Sequence, residues 1–412
     1  MKRAFVTAAF VFATLAAFTT VHAATNQLDA LTLEQAFDLA ERLQPELAEA
    51  RALIEAAEGR ALQAGKFPNP EAVARMESAP FRGRTTGEAE YLAGVAQPVP
   101  LGSRLSKARE AEQLERERRA REIDVRRREL RRRVHSAFAT SLYQERAFQT
   151  QTEIVQSVEK GVATAKARLD AGDALPEGLA RAEMELARAK VELKRTESLR
   201  EQALIALAAA IGDPTITVKS LAGSLDAAFE IPTLESLAES LSSHPATAAA
   251  NAATRAQNAR VNLAKAERIP DVRVELLYRR LEASKENSFD VGVSIPIPLF
   301  DRNQGRIREA RAELAAAEAR ARSTQNELNV RLRESYAQLS TVLANSRALK
   351  TEILPRADTV LKSAEARYAA GDVSLNDILP IRRDWAGVQL TYLESLRDVM
   401  QAWGTVRSLA GQ

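Results

Sequence analysis

The sequence predicts a mainly α-helical fold with a small β part, built twice over from long helical hairpins and two β-hairpins. Three observations predict it. A strand-to-helix junction occurs twice, as YLAGVAQPVPLGSRLSK from Tyr91 and FDVGVSIPIPLFDRNQGRIREA from Phe289, with Pro98 and Pro100 matching Pro296 and Pro298 about 200 residues later. Each junction leads into a very long helical pattern; from 103 to 171 there is no proline, enough for roughly 100 Å of helix. Aromatic residues are only 5% of the 412, a composition of long helices rather than of a mixed globular domain.

The chain opens with Lys2 and Arg3, an apolar core from Ala4 to Phe18 and the small-x-small site Val21-His22-Ala23, so 1–23 reads as a secretory signal peptide. The sequence contains no cysteine, which excludes disulfides, thiolate metal sites and a lipid-bearing cysteine at the cleavage site. Lys and Arg number 58 against 55 Asp and Glu. Once Lys2 and Arg3 are removed the chain is nearly neutral, with no overall field to attract nucleic acid.

The first repeat covers 24–212. Thr32 opens a helix with acidic and amide residues in its first turn, Pro45 starts a second toward Lys66, and Phe67-Pro68-Asn69-Pro70 stops it. A β-hairpin over 70–97, a long helix over 103–171 and a return helix over 176–211 follow. After a linker at 213–231, the second repeat at 232–412 restates the plan. It has helices from Pro232 and Pro245, a β-hairpin over 271–296, a long helix over 303–370 that Pro355 should kink, and a return helix over 375–410.

Alternation fixes the faces of the strands. Val272, Val274, Leu276 and Tyr278 share one face with Phe289, Val291, Val293 and Ile295, while Arg273, Glu275, Arg279 and Asp290 lie opposite. In the first hairpin Ala72, Ala74 and Met76 pair with Tyr91, Ala93 and Val95, and Arg75, Glu77, Glu88 and Glu90 lie opposite. Each strand is about ten residues, the length that crosses a bilayer when tilted. A soluble sheet with one buried face would show the same alternation. Four strands are too few to close a transmembrane barrel, and open edges cannot face lipid. Strands that cross a membrane therefore require several chains, and three chains would give a barrel of about twelve strands.

Both long helices end in similar turns, ARLDAGDAL from Ala167 and ARYAAGDVSL from Ala366, where Gly172 and Gly371 fit a left-handed closing position. Together with the SIPIPLFDRNQGRI junction from Ser294, these turns resemble the TolC-like outer-membrane efflux proteins, and most closely the CzcC-type cobalt-zinc-cadmium branch. The resemblance runs from about Leu31 to Gly411. It implies a homotrimer with a shared β-barrel in outer-membrane lipid and a helical tunnel crossing the periplasm. It also implies a periplasmic membrane-fusion adaptor and an inner-membrane pump of the resistance-nodulation-division type as partners.

The resemblance assigns tip, gate and docking roles to Gly172, Asp173, Leu175, Tyr368, Gly371, Asp372, Leu375 and Asp377. A Tyr before the tip glycine and an acidic residue six beyond it close or line the entrance in gated members; they fall on Tyr368 and Asp377. The family's Arg between them is Val373 in this chain, a second acidic position is Pro380, and the first repeat has Gly178 beside Glu177. Asp377 fits a cap on the returning helix equally well. The junction prolines Pro98, Pro100, Pro296 and Pro298 end the sheet ladder. Arg75, Glu77, Glu88, Glu90, Arg273, Glu275, Arg279 and Asp290 become lumen-facing charges.

Other chemistry is sparse. The arginine runs 126–128 and 131–133 sit among glutamates on a helix and read as a solvated face or interchain ion pairs. His135 and His244 occupy unrelated places in the two repeats, so no metal site is expected; neither is a cofactor. No phosphate loop, nucleophile elbow or catalytic cluster is present, so an enzyme is not expected. The expected function is a passive outer-membrane duct for divalent heavy-metal cations. The same duct for drugs or type I protein secretion is a second reading, and a periplasmic coiled-coil scaffold outside the membrane a third.

Overall fold

The computed structural model describes residues 27–78, 89–172, 175–226 and 231–410. The signal peptide, Asp173 and Glu88 lie outside them. In the first repeat come β1 (Gln27–Leu28), β2 (Leu31–Thr32), α1 (Leu33–Leu43), α2 (Pro45–Ala64), β3 (Glu71–Glu77), β4 (Glu90–Val99), α3 (Arg104–Asp170) and α4 (Pro176–Ile211). The connector holds β5 (Thr217–Val218) and β6 (Leu221–Ala222). The second repeat has α5 (Leu234–Ser240), a 3-10 turn, α6 (Pro245–Ala266), β7 (Val272–Leu281), β8 (Glu286–Ser294), α7 (Gln304–Ala348), a π-helical turn (Leu349–Ile353), α8 (Leu354–Ala370) and α9 (Leu375–Leu409).

Local chemistry sets the helix ends. Thr32 Oγ1 accepts from Gln35 N while Gln35 Oε1 accepts from Thr32 N, a reciprocal cap that starts α1. Pro45 begins α2 at a position whose N–H would have no helical partner. Gln44, between α1 and α2, donates to Ala210 O at 2.7 Å and so satisfies a carbonyl at the end of α4. In this way α2 and α4 abut and lie together along α3. The second repeat uses Arg128, whose guanidinium donates to Ser408 O (3.0 Å) at the end of α9, below the start of α6.

The apolar core is concentrated where these ends meet. Leu31, Leu130, Val134, Phe138, Leu207 and Ile211 form one cluster, and Leu237, Leu332, Leu339 and Val406 form its counterpart in the second repeat. Parallel pairing of β1 with β5 and β2 with β6 belts the first cluster. Those two-residue strands are invisible to a periodicity argument, because they contain no full alternation. Away from the belt the buried side chains between helices are mainly alanine, as at Ala252, Ala256, Ala259 and Ala264.

The arginine runs are paired within the chain rather than left for other copies. Arg131 reaches Glu41 at 2.8 Å, Arg133 reaches Glu46 at 2.6 Å and Arg126 reaches Glu49 at 3.5 Å. These exposed pairs each contribute about 0–1 kcal/mol, so they set the register of α2 on α3 more than its stability. Glu115 is buried, which pushes its pKa up, but Arg118 at 2.6 Å and the nearby Arg260 and Arg119 reverse this and hold the carboxylate ionised.

The second long helix is interrupted. A π-helical turn at Leu349–Ile353 precedes Pro355, where an extra residue in the turn accommodates the missing N–H. Lys350 in that turn holds Asp226 of the connector at 2.6 Å. Among the described residues no helix is long and apolar enough to cross a membrane.

His135 on α3 fills the space beside Gly404 on α9, and burial, helped by Arg407, pushes its pKa down to about 4. The folded chain therefore holds His135 neutral, while the unfolded chain takes up a proton below about 6.5. Stability from this site is complete above that value and is lost as the pH falls toward 4, by up to about 3 kcal/mol. Unfolding midpoints of the detergent-solubilised protein should fall between pH 7 and 4.5, and less steeply for His135→Gln; superimposable profiles would refute the assignment.

Candidate functional site

The four longer strands form one antiparallel sheet in the order β3-β4-β7-β8. Its register pairs Met76 with Tyr91, Val95 with Leu276 and Leu276 with Val291, so the apolar side chains share one face. That face is uncovered: Tyr91, Val95, Leu276, Phe289, Val291 and Val293 are all exposed. An exposed apolar face of this extent on one sheet marks contact with lipid or protein.

The opposite face carries the charges. Arg75, Glu77, Glu90, Arg273, Glu275, Arg279 and Asp290 all fall on it, joined by Glu71 and Glu286, which sequence reasoning passed over because they sit at strand ends. The charges form two tiers. Toward the 71 and 294 end, Arg273 bridges Glu71 (2.7 Å) and Glu275 (2.8 Å), and Arg75 reaches Glu275 at 3.0 Å across the intervening strand. Toward the loop end, Arg279 serves Glu90, Asp290 (Nε–Oδ2, 2.7 Å) and Glu77 (3.7 Å). Leu92, Ala96 and Leu277 lie buried on the same face between these groups. The inner tier is balanced, whereas the outer has three carboxylates on one guanidinium.

The junction prolines divide in their roles. Pro296 and Pro298 follow the last residue of β8, at the end of the ladder. Pro98 does not end its ladder: β4 continues through it to Val99, opposite Arg273 and Val272, and Pro100 follows. Pairing persists because a strand can carry a residue without N–H where no ladder bond requires that donor. Each strand then turns into its long helix through a left-handed residue, Ser103 (φ 62°) and Asn303 (φ 58°). Asn303 is held by its Nδ2 donating to Ala264 O at 2.7 Å. Beyond Ser294 the connector is apolar and open, with Phe300 92% exposed.

At the far end lie the two hairpin tips. Gly172 (φ 79°) and Gly371 (φ 87°) close α3 and α8, and Asp372 N donates to Arg367 O at 2.9 Å as a left-handed cap requires. A Cβ on either glycine would meet nothing within 4 Å. Leu175 is 72% exposed, and Leu375 packs partly against Tyr368 and Ile378. Tyr368 itself is buried, its ring 4.6 Å beneath the Arg168 guanidinium, which also donates to Tyr368 O at 2.7 Å. Thus an arginine from the first hairpin caps the second. Sequence reasoning missed it, since it sought an arginine at Val373 on the same hairpin.

Asp377 accepts from Ser374 N (2.9 Å) and Ser374 Oγ (2.6 Å), the reciprocal cap of α9. These hydrogen bonds, with Arg367 nearby, hold its carboxyl below the usual range, so it is anionic. Arg168, Leu175, Glu177, Tyr368 and Leu375 border a cavity of about 250 Å³ at the tip. Above it a groove of about 750 Å³ runs between α4 and α9, floored by Gln151, Ile154 and Val158 of α3 and crossed by Arg383–Glu185 at 2.9 Å. Among the described residues no group of three or more metal-ligating side chains comes together. His244 instead caps α6, accepting from Ala246 N at 3.1 Å.

The family described as outer membrane efflux protein matches residues 36–213 and 237–412. The chain is 28% identical over 382 residues to the cobalt-zinc-cadmium resistance protein CzcC of Cupriavidus metallidurans, covering 93% of this chain and 90% of that one. It is 33% identical over 231 residues to the nickel and cobalt resistance protein CnrC of the same organism, covering 50% and 53%. Its fold matches the outer membrane protein VceC of Vibrio cholerae with a TM-score of 0.75 at 19% identity, over 92% of this chain and 96% of that one.

Arg168 links the two hairpins at their tips, beyond the Arg383–Glu185 pair. Its cation–π contact and charge-assisted hydrogen bond together suit about 1.4 kcal/mol at this partly exposed site. Arg168→Gln should therefore speed amide hydrogen exchange over 365–378 about tenfold while leaving 320–340 unchanged. Unaltered exchange at the tip would remove Arg168 from this role.

Proposed function

The chain belongs to the outer membrane efflux protein family, and from that premise we propose that it is the exit duct for divalent heavy-metal cations, closed by three copies. It is an outer-membrane efflux channel; cargo, copy number and partners are the proposal. The observation that carries the cargo is the near full-length similarity to a cobalt-zinc-cadmium resistance protein. The charged face supports it. Six carboxylates on that face outnumber three guanidiniums, so a lumen lined by it draws cations. The absence of a clustered ligand set among the described residues suits a conduit, which must release what it carries.

Three copies follow from the strands. Twelve strands close a barrel, four leave two edges unsatisfied in lipid, and the exposed Val191 and Ile205 of α4 offer a stripe to the exposed Ile353 and Val360 of another copy. The tips are the natural dock for a periplasmic adaptor fed by an inner-membrane proton-driven pump. The groove over α3 is mostly apolar and is crossed by the Arg383–Glu185 pair, as a docked amphipathic helix needs.

Loss of the chain should lower tolerance to zinc, cobalt or cadmium several-fold while leaving dye and detergent tolerance unchanged. Unchanged metal tolerance with lost dye tolerance would move the cargo to drugs. A second outcome tests the tip. Because a Cβ at Gly371 meets nothing within 4 Å among the described residues, Gly371→Asn, which tolerates the left-handed conformation, should preserve efflux. Gly371→Trp should abolish adaptor capture yet leave the oligomer intact; undiminished capture would exclude docking at the tip.

A further inference from the structure

The arginines of α3 divide by face. Arg126 and Arg133 turn toward α2 and end on Glu49 and Glu46. Arg121, Arg127, Arg128 and Arg131 recur at spacings of three, four and seven, so they share a second stripe, where the helix meets the start of α6. There, with Asp124 and Pro245, they border a cavity of about 410 Å³. It lies in the seam between α3 and α6, flanked by Glu41 of α1 and by Ser243 of the 3-10 turn, and is formed within a single chain.

Charge is balanced in one part of this cavity and unbalanced in the other. Glu41 lies 3.4 Å from Arg127 and 2.8 Å from Arg131, and Asp124 lies 3.0 Å from Arg127, so two carboxylates neutralise two guanidiniums. Arg121 has no hydrogen-bond or ion-pair partner among the described residues, and Arg128 reaches only a neutral acceptor, Ser408 O at 3.0 Å. Two positive charges are left facing one space. Burial, and then the charge of Arg131, push the Arg128 pKa down, the direction expected of a guanidinium without a counter-ion. Arg127 Nε is buried with no hydrogen-bond acceptor, a donor that native interiors rarely leave unused. The positive end of α6, opening at Pro245, adds to the same field.

We infer that this cavity binds a phosphate group, held by Arg121 and Arg128. A phosphate dianion matches the charge left over, and its oxygens suit the forked donors of a guanidinium. The volume admits the group together with a small solute that carries it, so inorganic phosphate and a sugar phosphate share the chemistry the site reads. Because Arg128 already holds Ser408 at the end of α9, the bound anion fastens α3 of the first repeat to the helix ends of the second. The site lies apart from both the sheet and the tips, and its occupancy acts on the junction between repeats.

The protein, solubilised in detergent at about pH 8 where phosphate is doubly charged, is titrated with inorganic phosphate or with glucose 1-phosphate, chloride holding the ionic strength constant. The unfolding midpoint should rise saturably, by about 3 °C or more. Arg121→Gln should raise the half-saturating concentration at least about tenfold. Having no partner to lose, that variant should unfold in chloride at the same temperature as the parent. Arg133→Gln, which faces α2, should keep the full rise. A response to both solutes identifies phosphate esters as ligands, a response to the free ion alone restricts the site to inorganic phosphate, and either supports the assignment. No saturable rise with either solute, or an equal rise in Arg121→Gln, overturns it.

Discussion

A β-strand edge in hydrocarbon cannot leave its N–H and C=O groups unsatisfied, and the architecture of this chain follows from that constraint. Four strands leave two edges of the sheet, β3 and β8, without a partner among the described residues of the chain. Duplication makes the seam and the edges alike. The surface joining the first repeat to the second is chemically similar to the surface left at the ends, and Gly94 and Gly292 occupy equivalent places on the two.

The helical part obeys a different rule. A wall one helix thick buries little apolar area along most of its length, and the large buried side chains accordingly gather in two belts where helix ends abut, around Phe138 and Leu332. Alanine elsewhere lets helices approach closely without requiring a deep core. Between belts and tips, discrete polar links hold position: Trp385 to Asp358 at 2.6 Å, Arg382 to Glu365 at 3.1 Å and Arg168 to the end of α8. Below the π-helical turn, α8 and α9 are thus tied to each other by two such links and to the first hairpin by Arg168 and by Arg383–Glu185 at 2.9 Å.

Much of this was legible from the residues. That Val274 and Val293, and Met76 and Tyr91, lie on one face followed from alternation alone, because side chains along a strand alternate with a period of two. The left-handed turns at Gly172 and Gly371 were legible because few residues other than glycine tolerate that geometry at a helix end. What escaped was long-range or too short to have a period. Nothing local in Leu31-Thr32 announces a partner in Leu221-Ala222, and Arg168 looked like any basic residue near a helix end until Tyr368 lay beneath it. Pro98 misled because a proline's tolerance in a ladder depends on which way its nitrogen faces, which composition does not record.

The belt formed by the first strands has a bearing on the order in which the chain matures. Asp29 meets Lys219 across 190 residues, and Leu31 pairs with Leu221 beyond it, so the first repeat cannot seal until the connector has also been exported. By then β3 and β4 have long since emerged with Tyr91 and Val95 bare to water, and β7, which covers one of their edges, is still to come. Sequential secretion therefore leaves a half-sheet uncovered from the end of β4 at Val99 until β7 begins at Val272, about 170 residues later.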